Sequence, residues 1–522
     1  MNLQRLPEYA VRWIATLAGI LLAIFLARSA GSGQAGFVFG ILILFAGIAI
    51  VLTFKEKIWV VVPVAWGLSG QIPSLALPFA ARDIVILFVF GAFLPLKAFK
   101  ILRRKAVFEK LEILCGVMFI YLIISFLRNP VGVDALDSDR VGGRPYFNCI
   151  VGIIAYWILS QVTLNGNKAN QQTFAMVSAR MIEGVMAQFL AWFPILTVFF
   201  ANYYTCGYFL WVGDAENVTV LPGAESTHRL GYLAIIGQPL LTYLFALRPI
   251  EKMLNPLRFW WPSLLALGAI CVLLSGFRSI LFACLAAFAI ISYIRSGWQA
   301  IGRFGLIISL VLFILVLGNG RIFNLPLSTQ RALSWLPGEW DAYATLEAKE
   351  STKWRTYMWG QMLATDRYIQ NKILGDGFGF SMRQYATMKY FAKYGDNEEG
   401  QENFMISGNV HSGPVGSIRY GGYVGLILLL SILVMQAREA WRIVRIAYST
   451  PFRTLTLFVC VPIVFEPVFF TFIFGAYDNA IPDVFYNLGM LRMLQNSLSD
   501  QKASEPKSKL APTKFLPMQH IA

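Results

Sequence analysis

Long apolar runs recur along the whole chain, with short polar segments between them. A run of about 15 to 22 residues is long enough, as a helix, to cross much or all of a hydrocarbon layer of roughly 30 Å. Helices are expected because backbone polar groups in lipid need partners within the segment. The pattern predicts an all-α, polytopic helical integral membrane protein with about 12 to 14 transmembrane helices. The runs are residues 13–27, 36–54, 58–79, 84–96, 111–127, 145–164, 185–205, 229–248, 260–275, 279–294, 304–318, 414–435, 455–475 and 480–495.

The spacing of these runs divides the chain into five parts. Residues 1–220 form an N-terminal transmembrane bundle, and residues 221–318 are spans with arginine motifs at their outer ends. Residues 319–410, the longest stretch without a span, are predicted to form a large outer loop that contains amphipathic helices. C-terminal spans at 411–496 and a disordered tail at 497–522 complete the chain.

Composition and charge exclude a soluble protein and give the topology. The chain is 57% hydrophobic and 14% charged, which is too apolar for a soluble protein of 522 residues. Its formal charge of +15 is concentrated in segments such as 97–110 and 438–453, whereas segments 134–139 and 214–225 are acidic. The positive-inside rule therefore places both termini in the cytoplasm. The basic character reflects contact with anionic membrane lipid, not nucleic acid.

No motif indicates a metal or a cofactor. The six cysteines lack metal-type spacing, and the chain has neither a Walker motif nor a His-Glu-x-x-His helix. If the protein acts on phosphate groups, arginines must take the place of a metal ion.

Two arginines are candidates for that role. Arg278 follows a Ser275-Gly276-Phe277 break between two apolar runs, where a charge costs roughly 2.5 kcal/mol or more near the bilayer centre. The break favours a guanidinium that faces inward and meets an anion. The alternative is an arginine at the membrane interface whose side chain extends into water. Arg355 lies on a predicted amphipathic helix whose apolar face, with Met358 and Met362, rests on the membrane. A solvated surface charge is the alternative for Arg355.

His411 stands where the outer loop re-enters the membrane, beside Asn409 and Ser412. Lone interfacial histidines are more often structural than catalytic, but Arg419 follows eight residues later and would share its face on a helix. Arg229 opens another outer-side span. Together these cations predict a site for a lipid pyrophosphate. The Gly375-Asp376-Gly377 sequence is predicted to be a helix stop and turn, with lining of a ligand path as the alternative.

These motifs resemble those of the O-antigen ligase and O-antigen polymerase superfamily of bacterial envelope glycosyltransferases. The resemblance covers about residues 220–435 and rests on Ser275 with Arg278, Arg355 with Trp359, the glycines 375, 377 and 379, and His411 before the glycines 421, 422 and 425. Arg229 with Gly231 also looks similar.

The resemblance implies a metal-independent, inverting glycosyltransferase at the periplasmic face of the bacterial inner membrane. Its donor would be an undecaprenyl-pyrophosphate-linked glycan, and its acceptor a second glycan or lipid A-core, with a chain-length regulator as a candidate partner. His411, Arg355 and Arg278 would be catalytic. The substrate contacts would be Arg229, Arg419, Trp359 and Gly377.

Polymerase and ligase both fit these residues, and analogy with exopolysaccharide systems favours polymerase slightly. A lipid-linked glycan flippase and a non-catalytic assembly scaffold are the alternatives from other classes. Transporters place ionisable groups near mid-membrane and often show repeats, whereas the cations here gather at one face.

Overall fold

The computed structural model of the protein describes residues 59–72, 79–98, 109–132, 140–193, 195–201, 203–206, 230–394, 397–408 and 410–504. This part of the chain is mostly helical, as predicted. Five of its helices are long and apolar enough to cross a membrane, which indicates a membrane protein. They are Lys110–Arg128, Gly166–Trp192, Arg278–Arg303, Gly413–Ala447 and Arg453–Ile473.

Shorter apolar helices accompany these five, and the predicted spans 13–27 and 36–54 lie outside the described residues. The described helices before residue 319 are α1 (Val61–Trp66), α2 (Ala81–Ala98), α3 (Lys110–Arg128), α4 (Arg144–Ser160), α5 (Ala169–Trp192), α6 (Ile195–Ala201), α7 (Gly231–Leu247), α8 (Ile250–Met253), α9 (Trp260–Leu274) and α10 (Arg278–Gly318).

Residues 319–410 and the described C-terminal residues are also mostly helical. They contain α11 (Leu327–Leu333), α12 (Ala342–Ala364), α13 (Met382–Tyr394), α14 (Asn397–Ser407), α15 (Gly413–Ala447), α16 (Arg453–Val468), a π-helical turn (Phe469–Ile473) and α17 (Tyr477–Ser504). In the described residues, the one regular strand pair is antiparallel and joins β1 (Arg140–Val141) to β2 (Phe380–Ser381).

Small residues allow the apolar helices to pack closely. α4 packs along α17, and a Cβ on Gly152 would lie 2.7 Å from the Pro482 carbonyl oxygen. α7 packs against α9 in the same way, since a Cβ on Gly237 would lie 2.8 Å from the Gly268 carbonyl oxygen. Without water to drive association, such close contact is what holds membrane helices together.

The predicted span 185–205 is wrong in its limits, because α5 begins at Ala169 and ends at Trp192. Polar residues before position 185 obscured the helix. Glu183, only 1% exposed, accepts hydrogen bonds from the backbone N–H groups of Ser69 at 2.6 Å and Gly70 at 3.1 Å. A buried carboxylate with these partners is compatible with a helix inside the bundle.

Two further boundaries differ from prediction. The runs 279–294 and 304–318 belong to one helix, α10, which is interrupted only at Gly297 with φ 68°. The tail predicted to be disordered from 497 is helical as far as Ser504, and residues 505–522 lie outside the described part. Buried Leu498 anchors this extension because it packs in the main core.

A kink in α15 joins this helix to the segment 319–410. Gly422 has φ 63° and ψ −174°, so the helical hydrogen bonds stop there. Residues 372–377, called here the glycine turn, supply replacements. Tyr423 N–H donates to the Lys372 carbonyl at 2.8 Å, and Gly377 N–H donates to the Tyr420 carbonyl at 2.9 Å. Asp376 N–H likewise donates to the Arg419 carbonyl at 3.0 Å.

We expect Gly422→Ala to destabilise the protein by at least about 1–3 kcal/mol, because its backbone angles are essentially restricted to glycine. The added Cβ would also collide with the Ile373 carbonyl. Thermal unfolding should show a lower Tm, and limited proteolysis should cut residues 319–410 faster. Gly91→Ala on α2, where a Cβ meets nothing within 4 Å, is the matched control and should neither lower Tm nor speed the cleavage, because alanine favours a helix over glycine. Equal behaviour of the two variants would contradict this role of the kink.

Candidate functional site

His411 lies in an aromatic enclosure just before α15. Its ring centroid is 5.4 Å from that of Phe474, 5.5 Å from Phe404 and 6.0 Å from Trp354. Its φ of 52° is the one positive value recorded for a non-glycine residue in the described part of the chain. The conformation is held from both sides, since Ser412 caps α15 and the Trp359 indole N–H donates to the Val410 carbonyl at 2.8 Å.

The predicted amphipathic helix around Arg355 exists as α12, but its apolar face packs against protein. Met358 and Met362 are fully buried in a cluster with Val410, Val415 and Ile418 at the start of α15. The prediction that this face rests on the membrane is therefore wrong. Since α12 covers the entry of α15, it places Trp354 and Arg355 beside His411.

Arg355 is held in this site without a carboxylate partner among the described residues. Its Cζ lies 5.7 Å from the ring centroid of Trp354, which also contacts His411. The Nε atom is buried and has no hydrogen-bond partner in the described part of the chain. Burial lowers the pKa of Arg355, and the charge of Arg278 lowers it further. The two arginines are thus close enough for their charges to repel.

Arg278 begins α10 directly after the predicted break, which the structure confirms. α9 ends at Leu274, and Gly276 has φ 71°. Arg278 Nη2 donates to the Ala348 carbonyl of α12 at 3.3 Å. Ala348 precedes Arg355 by about two helical turns, and side chains on a helix lean toward its N-terminus. Arg355 therefore reaches back toward Arg278.

The electrostatics of the site follow from this arrangement. Burial lowers the pKa of His411 to about 4, and the charge of Arg355 contributes to the shift. Its Nδ1 atom is buried and unpartnered among the described residues. The site thus combines a neutral imidazole with two cations that form no salt bridge within the described ranges. An anion would be attracted to it strongly.

The other predicted contacts have internal roles in the structure. Arg419 Nη1 lies 3.3 Å from Asp376 Oδ2, and Gly377, at φ 72°, is part of the glycine turn. Helical spacing does not relate Arg419 to His411, because α15 begins only at Gly413. Binding of substrate by Arg419, Gly377 and Trp359 stays a prediction. Arg229 and Asn409 lie outside the described residues.

The predicted helix stop at the glycines 375 and 377 is corrected in one respect. Both residues have positive φ and form a turn, but α12 already ends at Ala364, eleven residues before Gly375. Asp137 and Asp139, a carboxylate pair with Asp-x-Asp spacing, lie outside the described residues. Metal independence therefore stays a prediction.

Sequence reasoning did not find Arg331 and Glu347, which fasten α11 and α12 to the helix break. Arg331 is 4% exposed, and its Nη1 donates to the Gly276 carbonyl at 3.0 Å. Its Nε lies 2.9 Å from Glu347 Oε1. Glu347 is adjacent to Ala348, the residue that Arg278 contacts. No sequence motif marks this pair, since its members belong to different helices.

Fold and site define a helical membrane protein with a cationic site at one end of the bundle. No protein-family model matches the chain, and no curated protein matches it. The relation to O-antigen ligases and polymerases rests on the motifs alone and stays a prediction.

A double-mutant cycle tests whether Arg331 and Glu347 act as a pair. We expect Arg331→Met to destabilise the protein more than Glu347→Gln, since it also leaves the Gly276 carbonyl without its partner. Their coupling energy should be about 0.5–3 kcal/mol from chemical or thermal unfolding. Exposed Glu350→Gln, on the same helix, is the control and should not couple to Arg331. Additive effects of Arg331→Met and Glu347→Gln would refute the pairing.

Proposed function

We propose that this protein is a metal-independent glycosyltransferase that uses a polyprenyl-pyrophosphate-linked glycan at the outer face of a bacterial inner membrane. One observation carries the proposal. Arg278 and Arg355 are half-buried and have no carboxylate partner in the described residues, and Arg355 faces the enclosed His411 at the same end of an apolar bundle. A lipid-linked diphosphate matches this site in charge and in its position relative to the apolar helices.

The proposed topology has about 12 to 14 spans, with both termini in the cytoplasm and residues 319–410 outside. Five apolar helices and the basic segments near α2 and α16 support it. The His411 end of the bundle is then the periplasmic end, and the opposite end faces the cytoplasm.

Arg278 and Arg355 bind the donor diphosphate in this mechanism. A guanidinium presents a planar fork of donors, which suits the oxygens of a diphosphate. Negative charge grows on the diphosphate as the bond to the anomeric carbon breaks. The two fixed cations stabilise that charge more in the transition state than in the ground state, which is where catalysis gains most.

His411 acts as the general base. The acceptor hydroxyl attacks the anomeric carbon with inversion, its proton moves to an imidazole nitrogen of His411, and the glycosyl–phosphate bond breaks to release the lipid diphosphate. A base with a pKa of about 4 is weak. The bound diphosphate offsets the charge of Arg355, so it raises the pKa of His411 and makes the base stronger when the donor is in place.

The acceptor distinguishes the members of this class. A second lipid-linked glycan makes the protein a polymerase, which a chain-length regulator would accompany, and lipid A-core makes it a ligase. The aromatic rings of Trp354, Phe404 and Phe474 suit the apolar faces of sugars in either case.

Substitution of the three residues tests the proposal on the purified protein. We expect His411→Ala to lower the transfer rate by about 10²- to 10⁴-fold, because the proton acceptor is lost. Arg278→Ala and Arg355→Ala should each lower it by about 10²- to 10³-fold. Transfer is measured from undecaprenyl-pyrophosphate-linked glycan in detergent or nanodiscs. Exposed Arg383→Ala on α13 is the control and should retain full activity.

Unchanged transfer by the three folded variants, with Tm equal to that of the wild type, would exclude the enzymatic mechanism. A flippase is distinguished directly, since it moves the donor across vesicles without forming a new glycosidic bond.

The acid side of the pH profile tests the environment of His411. The base must be neutral, so kcat/KM should hold from pH 7 to about 5 and fall as the pH approaches about 4. Phe474→Ala opens the enclosure to water and should move this decline to higher pH, toward the ordinary histidine value of about 6.5. Phe472→Ala, at a ring 79% exposed, is the control and should leave the profile unchanged. A wild-type decline near pH 6.5 would contradict the proposed environment of a half-buried imidazole that faces a cation.

A further inference from the structure

A second pair of arginines lies at the end of the bundle opposite His411. Arg295 of α10 donates from Nη2 to the Ala246 carbonyl in the last turn of α7. Its Nε is buried and has no hydrogen-bond partner in the described residues. Arg453 begins α16, and its Cζ lies 5.7 Å from the ring centroid of Tyr448. Neither arginine forms a salt bridge within the described ranges.

Tyr448 brings the two arginines into one cluster. Its hydroxyl donates to the Arg295 carbonyl at 3.1 Å, while its ring faces Arg453. The two guanidinium groups therefore carry like charges in one cluster, and like charges that are close together repel. An anion bound by the two guanidinium groups would offset this repulsion and give the buried Nε of Arg295 a hydrogen-bond partner.

Aromatic side chains mark the depth of this cluster. The ring of Tyr293 lies 5.0 Å from Trp298 and 6.2 Å from Trp441, and Trp298 is 72% exposed. Tryptophan and tyrosine collect at the level of lipid head groups. The 21 residues from Arg453 to Ile473 would span about 31 Å as a helix, close to the thickness of the hydrocarbon layer. The cluster therefore lies one membrane thickness from the His411 site.

We propose that Arg295 and Arg453 together bind the phosphate of an anionic glycerophospholipid from the leaflet opposite the His411 site. A phosphodiester carries one negative charge and exposes two oxygens, one for each guanidinium group. In the proposed topology this leaflet is the cytoplasmic one. The basic segments of the chain lie on the same side, where they are attracted to anionic lipid. The inference does not depend on the transfer reaction, because it concerns other residues at the other end of the helices.

Lipid binding to the full chain tests the proposal. The protein is purified in neutral detergent and titrated with phosphatidylglycerol or phosphatidylcholine, and bound lipid is followed by native mass spectrometry and by Tm. We expect Arg295→Gln and Arg453→Gln each to weaken the apparent affinity for phosphatidylglycerol by about fivefold or more, because each loses a direct charge-assisted hydrogen bond to the phosphate. Arg295→Lys keeps the charge and should retain most of the affinity.

Arg445→Gln is the matched control, since Arg445 is exposed in the last turn of α15 at the same end of the bundle. It should bind phosphatidylglycerol as the wild type does. The proposal is overturned if all Gln variants bind equally, or if phosphatidylcholine binds as tightly as phosphatidylglycerol. Inorganic phosphate that raises Tm to the same extent would identify a free-anion site and overturn the lipid assignment. Should Arg295→Gln fail to fold, the affinity of Arg453→Gln for phosphatidylglycerol alone decides whether the proposal stands.

Discussion

The exchange of backbone hydrogen bonds between the α15 kink and the glycine turn is the interaction on which the site depends. A helix that enters a membrane cannot leave its N–H and C=O groups unpaired, so a kink needs partners from another segment. The turn supplies them at Tyr420 and Tyr423, and Arg128 of α3 donates to the Leu374 carbonyl from the other side. The loop is therefore fastened to the membrane helices by main-chain groups, and the positions of α12 and His411 follow from that attachment.

The arginines inside the bundle differ in their partners. Within the described residues, Arg492 pairs with Glu112 and Glu109 at the end where α17 finishes, so this buried guanidinium has its counter-ions inside the protein. Arg278 instead donates to a backbone carbonyl of α12, and Arg355 lies over an aromatic ring of the same helix. A fold selected only for stability would place a carboxylate between them. Its absence from the described residues is the physical reason to look for an anionic ligand there.

The sequence predicted the features that depend on local patterning, and failed where contacts between distant segments decide. The break at Gly276, the helix around Arg355 and the turn at Gly375 follow from residue types within a few positions of each other. The direction of the apolar face of α12 does not, because Met358 suits protein and lipid equally well. The early start of α5 was missed for a similar reason, since the partners of Glu183 come from a segment more than a hundred residues away.

The backbone angle of His411 fixes the position of the imidazole, and the aromatic rings around it set its basicity. A residue with positive φ costs free energy unless its surroundings impose it, and here Trp359 and Ser412 hold the chain on either side. The rings of Phe404 and Phe474 cover part of the imidazole, and its burial makes it a poor base in the empty site and increases its response to any charge placed nearby. In the proposed mechanism, a diphosphate that arrives at Arg355 offsets the charge that depresses the pKa of His411, so that donor binding strengthens the base and is coupled to proton transfer.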